Sequence, residues 1–263
     1  MSLTLNWDGL DPGILGPAAV AGLVVLSTHV PLGRQVLARG IIFIDLAIAQ
    51  VAALGVIAAG LFGVEEHSLA VQFAAAMAAL AGALLLSFTD RRWPQVQEPL
   101  IGTLFVLAAT GGLLLLANNP QGGEHLKDLL VGQILWVNYA QLIPAAILAM
   151  VLLVLIGWLG EQLRGLPFYA VFALAITSSV QLVGVYLVFA SLIIPALACA
   201  GITGRRWLPL AYLLGALGYA LGLVLSAVLD LPSGALIVWT LAGVGLLAQA
   251  LPALRSARHD GVG

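Results

Sequence analysis

The chain has 263 residues, 62% hydrophobic and 8% charged, and its mean hydropathy of +1.09 lies far outside the range of a water-soluble globular domain. A net charge of -2 specifies no partner by itself, and the single cysteine, Cys199, excludes an intrachain disulfide and a thiolate metal cluster within one chain. Hydrocarbon offers no partner to backbone N–H and C=O groups, and the apolar runs are long and continuous, so the expected fold is an all-α polytopic membrane protein rather than a barrel.

The N-terminal stretch "MSLTLNWDGLDPG" carries acids where a cleavable leader would carry basic residues, so no signal peptide is expected. The first span is expected near 14–32, with His29 towards its inner end just before Pro31, and the second near 41–62. Within the second, "IIFIDLAIAQ" places Asp45 and Gln50 in an otherwise apolar run. Glu65, Glu66 and His67 precede a third span near 69–88. Glu98 and Pro99 open a fourth near 100–117, as a carboxylate beside helix N-terminal amides and a proline in the first turn should. The segment "HLKDLLVGQILWVNY" (His125–Tyr139) is too short to cross and carries Trp136 and Tyr139, so it reads as re-entrant or interfacial.

A fifth span is expected near 141–159, and two short ones share 167–200. The break between those two falls in "TSSVQLVG" (Thr177–Gly184), where Ser178, Ser179 and Gln181 can satisfy backbone groups freed inside the membrane. The last spans fall near 208–228 and 234–253. Pro195 removes one helical hydrogen bond and can serve as a hinge or a fixed kink. Glycines 111, 112, 215, 218 and 222 permit close helix approach.

Nine of the ten basic residues (Arg34, Arg39, Arg91, Arg92, Arg164, Arg205, Arg206, Arg255 and Arg258) fall in alternate connections. The other connections hold Lys127 with Asp8, Asp11, Glu65, Glu66, Glu124, Asp128 and Asp230. The positive-inside rule therefore puts the N-terminus outside and the C-terminus in the cytoplasm. Arg164 and Arg205 on the same side require an even number of crossings between them, which is why 167–200 must be two segments. Eight to ten helices in a single domain, 1–263, follow, with nine the best count.

The chemistry-bearing residues are few. The sequence contains no phosphate-binding Gly-rich loop with Lys-Ser/Thr, no His-Glu-x-x-His and no Gly-x-Ser-x-Gly, so no ATP hydrolysis or proteolysis by this chain is expected. Asp45 is the sole acid within an expected span. A carboxylate there should face the interior or a wet path as a transient metal contact, or be a structural group hydrogen-bonded to neighbouring helices, or lie hydrated near the inner end beside Arg39. Gln50 offers only a neutral amide oxygen, a weak zinc ligand, and serves equally as a helix–helix hydrogen bonder. His29 could meet an ion leaving the path or could simply be hydrogen-bonded. Glu66 and His67, with Glu65, and Glu124, His125 and Asp128 could gather divalent cations or meet a binding protein on the outer face.

Four blocks point to a family. "EPLIGTLFVLAATGGLLLL" (Glu98–Leu116), "LVGQIL" (Leu130–Leu135), "VQLVGVYLVFASLIIPALACA" (Val180–Ala200) and "LDLPSGALIVW" (Leu229–Trp239) resemble, in order and spacing, the ABC-3 family of zinc, manganese and iron permeases. The resemblance extends from Arg34 to Leu254. It implies a homodimeric permease subunit in a bacterial plasma membrane, with lipid around it, a separate cytoplasmic ABC ATPase that binds the ATP, and a periplasmic metal-binding protein. No nucleic acid partner and no permanently bound cofactor are implied; the metal is cargo, zinc first and manganese or iron next.

Two departures mark a divergent branch. The family's second span keeps an Asp four residues before a His; here Gln50 stands at the His position and the acid comes one residue early, at Asp45. Positions four apart differ by roughly 40° around a helix and positions five apart by roughly 140°, so Asp45 and Gln50 should not share a face. The segment that contacts the ATPase in relatives is compressed to "GEQLRGLPFYAVFA" (Gly160–Ala173). Arg91 and Arg92, with Glu161 and Arg164, are the expected ATPase-coupling residues. A secondary transporter or channel, or an ABC importer of a chelated metal or small organic ligand, are the competing readings.

Overall fold

A computed structural model describes residues 10–64, 68–117, 132, 134–202 and 204–250. Among them are nine α-helices, joined in places by short 3-10 turns, and no strand: α1 (Pro12–Arg39), α2 (Ile44–Leu61), α3 (Leu69–Arg92), α4 (Gln97–Leu116), α5 (Tyr139–Leu159), α6 (Leu166–Val183), α7 (Val185–Ala198), α8 (Trp207–Leu229) and α9 (Ser233–Ala250). Eight are long and apolar enough to cross a membrane; α7, with 14 residues, is the short one. The all-α polytopic architecture and the count of nine expected from the sequence are what the described residues show.

α1 differs most from expectation, continuing well past residue 32. Asp11 caps its start by accepting from the Gly13 N–H at 2.7 Å, and Pro12 occupies the first turn. The 28 residues extend about 42 Å, so the helix overruns the hydrocarbon and carries Arg34 and Arg39 beyond it. Pro31 lacks an N–H and should orphan the Ser27 carbonyl. Tyr212 of α8 donates its hydroxyl to that carbonyl at 2.7 Å, and the helix runs on. Gly40, at φ 69°, ends it in the left-handed region.

The break inside 167–200 is sharper than the sequence suggests. Thr177 to Val183 stay helical, and the turn falls on Gly184 alone, at φ 79° and ψ 164°, a conformation open only to glycine. A second backbone meets it there: a Cβ on Gly132 would collide with the Val183–Gly184 peptide. Of the segment 125–139, the described part forms a 3-10 turn at Ile134–Trp136 that packs on α1 and α9, with Ile134 buried and Trp136 exposed. Asn138 and Gln141 then form a capping box that starts α5.

α6 is the most buried of the long helices, set among α1, α2, α3, α5 and α7. α2, α3 and α4 pack together on one side of it; α7, α8 and α9 pack together on the other, with α1 against α7 and α8. Small residues allow the closest approaches. A Cβ at Gly22 would meet the Tyr219 ring, one at Gly33 the Leu192 carbonyl, and one at Gly222 the Ile237 backbone.

The arginine-bearing connections converge at one end of the bundle. Arg34 sits 4.9 Å over the Trp207 ring, Arg39 3.6 Å over Phe168, and the Arg91 guanidinium lies beside Gly165. At the same end Gln97 ties three helices: its amide donates to the Leu86 carbonyl at 3.0 Å and to the Tyr169 hydroxyl at 3.1 Å, while Thr89 donates to it at 2.9 Å.

Candidate translocation site

Asp45 lies in the first turn of α2 and is 1% exposed. Both carboxylate oxygens are without a hydrogen-bond partner among the described residues. α2 turns Asp45 inward. Ile48, Val51 and Gly55 meet α3, whereas Leu54 and Ile57 meet α4 at Gly111 and Gly112. Helical spacing puts Asp45 on a third stripe with Ala49, Ala52 and Val56, turned away from both of those neighbours. α2 also packs against α6 and α7.

Gln50 is also buried, at 6% exposure, but shares the stripe of Leu54 and Ile57 that faces α4. The separation of about 140° expected from the five-residue spacing is realised. Asp45 and Gln50 look into different interfaces of the same helix.

His29 is fully buried on α1. Its Nδ1 lies 2.8 Å from the Val25 carbonyl and 3.1 Å from the Thr28 hydroxyl. Nε2 has no hydrogen-bond partner among the described residues. His29 shares a stripe with Gly22, Leu26 and Gly33, which meet α7 and α8. No group of three or more metal-ligating side chains forms among the described residues.

Of the hydroxyl and amide residues of α6, Ser178 and Ser179 line a small cleft with Thr28 and Leu152, between α1, α5 and α6. Thr177 is buried with its hydroxyl unpartnered among the described residues, whereas Gln181 is exposed and does not join the others. Glu65, Glu66 and His67, the cluster Glu124, His125 and Asp128, and Arg255 and Arg258 lie outside the described residues. Arg91, Arg92 and Arg164 are exposed at the arginine-rich end, while the side chain of Glu161 lies outside the description. The compressed segment opens on Gly160 and contains Gly165, both at positive φ (47° and 56°).

Glu98 behaves differently from its sequence reading. Rather than serving the amides of its own helix, its Oε1 accepts from the Phe43 N–H at 3.2 Å, at the start of α2. It thereby fixes the turn that carries Asp45, and its Oε2 is buried without a partner among the described residues. Neither this contact nor the Gln97 network was visible in the sequence, since they join residues 55 and 72 positions apart.

The described residues form a multi-pass helical bundle of membrane-spanning length, with the Asp45 carboxylate buried inside it. The chain belongs to the ABC 3 transport family, whose pattern it matches over residues 13–168 and 159–251. It is 26% identical over 259 residues to the manganese transport system membrane protein MntC of Halalkalibacterium halodurans, covering 90% of this chain and 87% of that protein. Its fold is similar to a chain of the structure "PsaBC from Streptococcus pneumoniae in complex with Fab", with a TM-score of 0.75, 20% identity, and coverage of 94% of this chain and 95% of that one.

Proposed function

We propose that this chain is the membrane subunit of an ATP-driven divalent-metal importer and that Asp45 touches the ion in transit. The observation that carries this reading is the buried Asp45 carboxylate with both oxygens unpartnered among the described residues, inside a permease of this family. An uncompensated buried carboxylate opposes folding. A passing divalent cation supplies the missing partner for the moment of passage.

The carboxylate oxygens of Asp45 suit manganese better than zinc, which prefers imidazole and thiolate. The relative named for manganese transport supports the same order, so manganese stands first and zinc and iron after it. A site with few ligands holds its ion loosely enough to release it. The arginine-rich end faces the cytoplasm under the positive-inside rule, where Arg91, Arg92, Glu161 and Arg164 meet a separate ATPase. A periplasmic binding protein delivers metal to the opposite face. The exposed apolar faces of α4 and α5, including Leu107, Leu114, Met150 and Val154, are covered by lipid and by a second copy of the chain.

The test is ATPase stimulation in liposomes containing this chain and its partners, with manganese, zinc and iron supplied separately. Manganese should stimulate most strongly. Lack of stimulation and uptake with all three metals overturns the reading.

A further inference from the structure

Arg39, the last residue of α1, joins two parts of the molecule that the chain separates. Its Nη2 donates to the Leu163 carbonyl at 2.6 Å and to the Gln35 side chain at 3.3 Å, and its guanidinium lies 3.6 Å over the Phe168 ring. Leu163 and Phe168 are both buried, at 1% and 0% exposure. Between and before them lie exposed Gln162 and Arg164, held between the positive-φ glycines 160 and 165. On its other side Arg39 is followed at once by Gly40 and the short turn to Phe43, where Glu98 grips the backbone N–H. Asp45 comes two residues later.

One side chain and six residues of backbone thus connect the 160–166 segment to Asp45. A planar guanidinium suits this task, since it donates along its edge to a carbonyl while presenting its face to a ring. We propose that Arg39 is a positioning residue that carries movement of the segment 160–166 to the α1–α2 turn, and so to Asp45. The inference rests on the importer reading above, in which that segment meets the ATPase. Arg34 provides an internal control. It makes a comparable contact at the same end, over Trp207, but to the start of α8 and not to the 160–166 segment.

The experiment uses the full chain in complex with the ATPase that copurifies with it, in proteoliposomes supplied with the metal-binding protein, with manganese uptake and phosphate release measured in the same vesicles. If the wild type shows no ATP-dependent uptake of manganese, zinc or iron, the importer reading fails and this inference with it. With a coupled wild type, Arg39→Ala keeps hydrolysing ATP while manganese moved per ATP falls about tenfold, equivalent to ~1.4 kcal/mol of coupling free energy. Arg34→Ala keeps the wild-type ratio. Arg39→Lys retains the charge but not the fork and plane, and shows a partial loss; it also serves if the alanine variant fails to assemble. Arg39 variants with the wild-type ratio, or an equal loss in Arg34→Ala, overturn the inference.

Discussion

Asp45→Asn should stabilise the folded chain and lower its transport, two effects that a merely structural carboxylate would not combine. Asp45 is 1% exposed and its oxygens have no partner among the described residues, so a neutral side chain of the same shape relieves a burial cost. Leaving one buried polar group unsatisfied costs about 1–3 kcal/mol, more when it is charged, and replacing buried ionic groups by well-packed neutral ones commonly stabilises by about 1–4 kcal/mol. The variant should therefore melt a few degrees higher in detergent, with Asp45→Leu at least as stable. Transport moves the other way. A lost charge-assisted contact of about 1.5–3 kcal/mol in the limiting state lowers uptake kcat/KM about 10- to 150-fold. Thermal unfolding followed by intrinsic tryptophan fluorescence, alongside manganese uptake by the same preparations, measures both. A variant that melts lower and transports normally would refute the reasoning, because Asp45 would then have a structural partner and no role in the path.

Tyr212→Phe should destabilise the chain by about 1–3 kcal/mol through the orphaned Ser27 carbonyl. Pro31→Ala in that background should recover most of the loss, because alanine at this position restores the helical N–H; a double-mutant cycle on thermal stability reads the compensation. Gln97→Leu should cost about 1–3 kcal/mol by unpairing the buried Tyr169 hydroxyl, visible as earlier dissociation in detergent. Gly33→Ala forces α1 away from α7, since its Cβ meets a backbone carbonyl; of order 1–3 kcal/mol is expected, measured as a lowered melting temperature.

Much of the bundle was legible in the sequence because membrane folding is dominated by a one-dimensional signal. Apolar runs of sufficient length become helices, and the arginines that punctuate them do gather at one end. Parity alone predicted two segments in 167–200. Their junction was placed within Thr177–Gly184 but not to the residue, because Thr177, Ser178 and Ser179 look like helix breakers yet remain helical, while Gly184 alone has the required backbone freedom. The run-on of α1 through Pro31 was illegible for a different reason. The group that satisfies Ser27 lies 185 residues away. The five-residue spacing of Asp45 and Gln50 did predict their opposite orientations. What covers each of them depends on helices whose packing only the fold reveals, as does the grip of Glu98 on the α2 turn.

The most direct measurement of the central claim is ATP-dependent accumulation of radioactive manganese in proteoliposomes holding this chain, its ATPase and its binding protein. Accumulation should require internal hydrolysable ATP on the arginine-rich side, and excess zinc should compete only weakly. Accumulation that is equal without ATP, or that follows a proton or sodium gradient, would contradict it and return the chain to the class of secondary transporters or channels.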